Sequence, residues 1–346
     1  MLTIDGSFGE GGGQIVRTSL SLAAVTGQAV AIHNIRAGRD RPGLRPQHVA
    51  AALAVAEVCG ADLHGAEVGS TSLEFRPRAV RPGDYEFDVA RVQASAGSAN
   101  LILQTVLWPL ALAKTPSRVV IRGGTHVPFA PTSEYIRETF LPAVSRMGAV
   151  CDCEMTRAGY YPAGGGEMRV HIRPAERLLP LRADRPDETP AVKLTSAVSN
   201  LPESIAQRQM SAGVRRMREL GIDADERLAR YPSAGKGTVF FISVVGRQSV
   251  AGFQSLGEIR KRAEAVAEEA CDEFEEYIRI GAALDKRLAD QLVIPAALAP
   301  GESVLTTCEV TRHLLTNIAV VQKFLSVSFR VGAGLGEPAR IEKVRE

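Results

Sequence analysis

The sequence predicts an α/β fold of layered α+β type, with three βαβαββ repeats forming the main body and a smaller inserted α/β sandwich domain. Three observations predict it. Two long segments share one order of apolar patterns, a third copy fits the C-terminal end, and a stretch of different character separates copies two and three. The expected domains are residues 1–180 (repeats one and two), 181–280 (the insert) and 281–346 (repeat three).

Repeat one opens on the strand TIDGS and the helix QIVRTSLSLAAV, followed by a turn and the strand in GQAVAIHNIRAG. RPQHVAAALAVAEVCGA then reads as a helix and DLHGAEVGSTSLEFRP as a hairpin. Repeat two has the same parts: the strand YEFDV, a helix through SANLILQTV and LWPLALA, the strand SRVVIRGGT and the helix TSEYIRETFLPAVSRMGA. Its closing hairpin is CDCEMTRAGYYPAGGGEMRVHIRP, where the glycine run makes the turn. In repeat three LADQLVIPAALA and HLLTNIAVVQKFL are helices, while SVLTTCEV, SVSFRVGAG and ARIEKVRE are strands. The insert runs from about Leu181 to Ile280. It starts with the proline-bearing RADRPDETP and continues through the strand AVKLTSAVS, the helix IAQRQMSAGVRRMREL and the strand GTVFFISVV. It closes with the acidic helix EIRKRAEAVAEEACDEFEEYI, whose charges read as a solvated face.

A net charge of +2 argues against a protein that coats nucleic acid non-specifically, so phosphate-binding capacity has to be sought in local clusters. Five cysteines without a CxxC pair fit reduced thiols. Cys151 and Cys153, two apart on a strand, point to one face; packing is the first reading, and a thiol pair or half a metal site the second. The N-terminal residues lack a basic segment followed by an apolar run, and no stretch of about 18 apolar residues occurs. The expectation is a soluble, cytoplasmic protein with no membrane partner.

Chemistry concentrates in four places. His313 falls at the opening turn of an apolar helix, where unpaired N–H groups and the positive dipole end disfavour imidazolium and welcome phosphate. The run GEGGGQ, residues 9–14, lies between a strand and a helix start. A tight turn explains its glycines but not Glu10, and a carboxylate beside a phosphate cradle suits a divalent metal. Arg36, Arg39, Arg41 and Arg45 crowd one loop with only Asp40 opposing them, a clamp for phosphate to which Gln47 and His48 add hydrogen bonds; solvated surface arginines are the other reading. Gln104 stands within an apolar helical run, either as a satisfied core amide or as a ligand contact.

Taken together and in order, GEGGGQIVR, IRAGRDRPGLRPQH, SAGSANLILQTV, YPAGGGEMRV, LADQLVIPAALA and HLLTNIAVV resemble the motifs of the RNA 3'-terminal phosphate cyclases. The resemblance covers nearly the whole chain and is weaker in the insert. It implies repeats shaped like the C-terminal domain of a bacterial translation initiation factor. It also implies use of ATP and a divalent metal (Mg or Mn) to turn an RNA 3'-phosphate into a 2',3'-cyclic phosphate; since ribose is required for ring closure and not necessarily for adenylation, DNA 3'-phosphate ends are a second candidate partner. By this resemblance His313 is the nucleophile that takes AMP, Glu10 is a metal ligand, and Gln104, Asp290 and Gln291 contact the nucleotide. Phe253 reaches adenine from the edge of the insert. Arg17, Arg36, Arg39, Gln47 and His48 hold phosphates of ATP or of the RNA end. One departure is Arg287, three residues before Asp290, where family members often carry an aromatic residue; its guanidinium plane is an alternative stacking surface. Two rivals are a non-catalytic relative of ribosomal RNA processing that lacks the nucleophile, and an enolpyruvyl transferase, whose repeats have a related shape.

Overall fold

The fold is described from a computed structural model that covers residues 1–93 and 95–344; the last two residues of the expected closing strand lie outside the described residues. Repeat one runs β1 (Leu2–Asp5), α1 (Gly13–Thr26), β2 (Val30–His33), α2 (Pro46–Cys59), β3 (Asp62–His64) and β4 (Leu73–Arg76). Repeat two runs β5 (Asp84–Asp88), α3 (Ala99–Ala111), β6 (Ser117–Gly123), α4 (Ser133–Tyr135), a π-helical turn at Ile136–Phe140, α5 (Leu141–Arg146), β7 (Cys151–Arg157) and β8 (Gly166–Ile172). The π turn lies just before Pro142, which has no N–H to continue an α-helical ladder.

Next come β9 (Arg182–Ala183), β10 (Ala191–Ser199), α6 (Glu203–Glu219), β11 (Asp225–Arg230), β12 (Gly237–Val245), β13 (Val250–Leu256) and α7 (Ala263–Ile280). The chain ends with α8 (Lys286–Gln291), α9 (Val293–Leu298), β14 (Ser303–Thr307), α10 (Arg312–Phe324), β15 (Ser328–Val331) and β16 (Ala339–Val344).

Three sheets share one topology. Their orders are β1-β2-β4-β3, β5-β6-β8-β7 and β9-β14-β16-β15. In each, the first pair is parallel and the other two are antiparallel. A parallel neighbour requires a crossover, supplied by α1 and by α3 in the first two sheets. In the third, β9 precedes the whole β10–α7 segment and pairs with β14 beyond it. Residues 182 and 183, which the sequence reading put at the start of the insert, therefore belong to the third repeat's sheet.

A fourth sheet, β11-β10-β12-β13, carries α6 and α7 on one face. Strand alternation sorts its side chains. Phe240, Ile242, Ala251 and Phe253 turn toward Phe274 and Tyr277 of α7, while Phe241 and Gly252 turn toward repeat two. The exposed faces of α6 and α7 are tied by Arg208–Glu264 and Arg216–Asp272. Cys151 and Cys153 pack against the main core from β7. Among the described residues no helix is long and apolar enough to cross a membrane.

Helix α1 is buried on nearly all sides because it packs against α2, α3 and α10, helices of all three repeats. Its N-terminus therefore faces the point where the repeats converge. Asp285 pins the fourth sheet to that point. Fully buried, it accepts from the N–H groups of Arg287 and Leu288 as the N-cap of α8, from Gly252 N–H of the insert, and from the Tyr135 hydroxyl of repeat two.

Candidate active site

Thr311 caps α10 by accepting from Leu314 N–H at 3.0 Å, which places His313 in the first turn. Its Nδ1 lies 2.5 Å from Gln14 Oε1. Gln14 is itself oriented, since its Nε2 donates to Asp290 Oδ1 at 2.9 Å, so the oxygen of the amide faces the imidazole. An amide oxygen can only accept. Nδ1 must carry the proton, and Nε2 keeps its lone pair toward the open side. Asp290 also accepts from Asn317 Nδ2 at 3.1 Å, and Asn317 Oδ1 accepts from the Thr18 hydroxyl at 2.6 Å. Burial, Arg17 and Arg39 all lower the His313 pKa below the ordinary value, keeping the ring neutral. Burial pushes the Asp290 carboxyl up to about 7 against the pull of Arg17, whose own value burial brings down to about 10.

The glycine run folds Glu10 back over the start of α1. A Cβ at Gly12 would lie 1.9 Å from Glu10 Oε2, and one at Gly13 would lie 2.0 Å from His48 Nε2; only glycine admits both neighbours. No side chain caps α1 at Gly12, so its first N–H groups are left for a ligand. Glu10 Oε1 meets Arg39 and stands 3.9 Å from His313 Nε2, whereas Glu10 Oε2 is buried without a hydrogen-bond partner. Among the described residues no cluster of three or more metal-ligating side chains occurs. One orphaned carboxylate oxygen beside a helix N-terminus fits a cation that is completed by water and phosphate oxygens.

The arginine loop divides into builders and free arms. Arg36 Nη1 donates to the carbonyls of Arg41 at 2.7 Å and Gly43 at 2.9 Å, so this side chain shapes the loop. Arg39 is exposed and reaches the Glu10 carbonyl as well as its carboxylate. His48 is buried; its Nδ1 accepts from Arg45 N–H at 3.0 Å and closes the first turn of α2. Gln47 Oε1 accepts from Ser98 N–H, joining α2 to the start of α3.

His48 gives a test of this packing. Burial, with Arg17, Arg36 and Arg45 nearby, depresses its pKa to about 3. The unfolded chain binds a proton below about 6.5 while the folded chain does not, so stability is complete above that value and declines as pH falls toward 3. Unfolding by urea at stepped pH should show His48→Gln losing less stability with acid than the wild type, by roughly 1.4 kcal/mol per pH unit in that window. Parallel acid limbs would contradict a neutral His48.

Between these elements lies a cavity of about 410 Å³, large enough for a nucleotide-sized ligand. Gln14, Arg17, Gln104, Asp290, Gln291, His313 and Asn317 supply its polar wall; Leu101, Trp108, Phe129, Pro131, Phe140 and Ile294 supply the apolar one. Gln104 Nε2 donates to Gln291 Oε1 at 2.7 Å, linking α3 to α8. Arg287 also lines the cavity, and Glu273 of α7 grips its guanidinium through two bonds of 2.7 and 2.8 Å. The structure thus gathers His313, Arg17, Gln104, Asp290 and Gln291 around one space, with Glu10 and Arg39 meeting beside His313. Phe253 is a correction to the sequence reading. It is buried between Phe274 and Tyr277 and faces away from this cavity, because alternation along β13 turns its neighbour Gln254 to the wall instead. Gln14, Thr18 and Asn317 were not singled out from the sequence; Gln14 had a signal, as the polar residue that ends the glycine run.

The whole arrangement can hold an anionic ligand at a helix start and present it to a neutral imidazole nitrogen. Comparison with known proteins gives the family. The family model described as RNA 3'-terminal phosphate cyclase matches residues 8–331. A protein of Methylococcus capsulatus named RNA 3'-terminal phosphate cyclase is 47% identical over 328 residues, covering 94% of this chain and 91% of its own. Relatives of the same name from Nostoc punctiforme and Methanopyrus kandleri are 43% and 40% identical, covering 96% and 99% of this chain and 96% and 98% of their own. The solved enolpyruvyl transferase NikO of Streptomyces tendae aligns with 98% of this chain and 81% of its own, but at 11% identity and a TM-score of 0.20 it carries no argument. With the family matched from the glycine run through β15, and relatives above 40% identity along nearly the whole length, this chain belongs to the RNA 3'-terminal phosphate cyclase family.

Proposed function

We propose that the protein uses ATP to convert an RNA 3'-terminal phosphate into a 2',3'-cyclic phosphate through a covalent histidyl-AMP. The observation that carries this reading is the Asp290–Gln14–His313 chain, which fixes the tautomer and leaves Nε2 as a neutral nucleophile beside an anion site. Nε2 attacks the α-phosphorus of ATP; an N–P bond forms and the P–O bond to pyrophosphate breaks. An oxygen of the RNA 3'-phosphate then attacks the histidyl phosphorus, taking AMP and restoring the imidazole. Finally the 2'-OH attacks the terminal phosphorus, loses its proton, and AMP leaves. Adenylation is needed because a phosphate monoester dianion repels nucleophiles and has no good leaving group.

Arg17, inside the cavity, pairs with the triphosphate in this reading, and exposed Arg39 with the RNA end. Arg36, Gln47 and His48 act on phosphate through the loop and turns they build. The Arg287 guanidinium, held flat by Glu273, offers a face for adenine where family members often place an aromatic ring. Glu10 is the residue to hold a divalent ion, Mg or Mn, which when bound supplies positive charge against the phosphates. Glu10 would then exchange its contact with Arg39 for the ion, freeing that arginine for the second substrate.

The non-catalytic alternative lacks a nucleophile and has no use for an aligned imidazole. Incubation with α-labelled ATP and a 3'-phosphorylated RNA tests both steps: covalent label on the protein and a phosphatase-resistant RNA end are expected, and absence of both would sink the proposal. The alignment has its own test. Gln14→Leu removes the acceptor for Nδ1–H, so the rate of self-labelling should fall by roughly 100-fold, less than the ~10⁴ known for a wrong tautomer in a buried triad because water can reach His313. An unchanged labelling rate would remove Gln14 from the mechanism.

A further inference from the structure

We infer that single-stranded RNA runs away from the His313 site over the β7–β8 turn and the strap that follows β11, with Tyr161 as a stacking platform and Arg157 and Lys236 as phosphate contacts. The inference rests on the cyclase reading and adds the path of the polymer, including a contribution from the fourth sheet.

Contacts make the surface continuous. From Gln47 the chain of neighbours passes to Ser98, whose N–H the glutamine accepts, and back along Gly97 and Ala96 to Ser95. There the β7–β8 turn takes over, since a Cβ at Gly164 would stand 3.1 Å from Ala96 Cα and 3.3 Å from the Ser95 carbonyl. The strap 231–236 lies along that turn. Ala158 N–H donates to the Pro232 carbonyl, a Cβ at Gly235 would be 3.0 Å from the Ala163 methyl, and one at Gly237 would strike the Tyr160 ring. Lys236 is therefore bracketed by residues packed on either side of Tyr161. The nucleotide cavity joins the same surface from beneath, because Leu101 and Ala130 of its wall pack with Ala96 and Val127.

The chemistry of this strip fits a single strand. Tyr161 is 67% exposed, which leaves its ring free to meet a base. Arg157 and Lys236 are exposed, and neither has a carboxylate within ion-pairing distance among the described residues. Arg157 is held over the turn by its Nε–H bond to the Gly165 carbonyl at 2.6 Å, leaving its outer nitrogens free for an anion. Exposed rings beside unpaired cations bind splayed bases and their phosphates, whereas a duplex keeps its bases stacked inside. Residues 95–98 lie between Gln47 and the turn that carries Tyr161, so a strand whose 3' end sits at His313 meets Tyr161 beyond its terminal nucleotides.

The test compares a ten-nucleotide RNA and a dinucleotide, both 3'-phosphorylated, by fluorescence anisotropy and by KM for cyclisation. Self-labelling with ATP serves as the check on folding. For Tyr161→Ala with Lys236→Glu, the ten-mer should bind about tenfold or more weakly, the dinucleotide should hold within twofold, and self-labelling should match the wild type. Lys236→Gln alone should flatten the dependence of ten-mer affinity on log salt by about 0.7. Equal losses for both lengths, or none for the ten-mer, would overturn the track. A wild-type protein that neither labels nor cyclises any RNA would instead sink the cyclase reading, and the track with it.

Discussion

His313→Ala protein incubated with α-labelled ATP should retain no covalent label, a loss of at least about 10⁴-fold, while its thermal unfolding stays within about 2 °C of the wild type. The first half follows from the proposed role of Nε2 as the atom that forms the bond to phosphorus. Removing a nucleophile leaves binding intact and deletes the intermediate. The second half follows from position. The His313 side chain is 49% exposed in the first turn of α10, and the cap that starts the helix belongs to Thr311. Loss of the ring leaves one acceptor, Gln14 Oε1, to be met by water at a wet site, a small cost. Mass analysis of ATP-treated protein gives an independent readout, because the wild type should gain the mass of one AMP. Full labelling of a folded alanine variant would move the nucleophile elsewhere.

Much of this architecture was legible because local patterns carry it. Leu314, Ile318 and Val321 recur at helical spacing, and α10 does run from Arg312 to Phe324. The βαβαββ order could be read in repeats one and two because each strand is followed within a few residues by its helix. Strand β9 could not be read, for a physical reason: it is two residues long, a proline-bearing stretch follows it, and its partner β14 lies about 120 residues away. Phe253 shows another limit. An aromatic on an alternating strand announces a buried face but not which layer it enters, and here α7 supplies the layer. The hydrogen-bond chain was hidden more deeply. Gln14 and His313 are 299 positions apart, as are Thr18 and Asn317, and no periodicity links a side-chain amide to a partner across two helices of different repeats. Glu10 was legible as an anomaly within glycines, whereas its contact with Arg39 required the fold to bring two loops together.

A DNA strand ending in a 3'-phosphate should be adenylated and then stop. Its terminal dianion is the same as that of RNA, so transfer of AMP from His313 needs only the phosphate and the arginines that hold it. In the proposed mechanism closure needs the 2'-OH, since that oxygen is the tethered nucleophile that expels AMP, and tethering alone supplies an effective concentration of about 10⁵ M or more. Without it the competing nucleophile is water at ~55 M, so release of AMP should slow by about 10³-fold or more. The expected result on a gel is a deoxy product retarded by one adenylate that persists, beside a ribose product that passes to a phosphatase-resistant end as AMP appears. Neither outcome depends on how fast His313 is first labelled, because both strands draw on the same protein-bound AMP. A deoxy end that releases AMP as quickly as the ribose end would refute ring closure as the last step, and one that is never adenylated would mean that the 2'-OH is already read in the binding of the polymer.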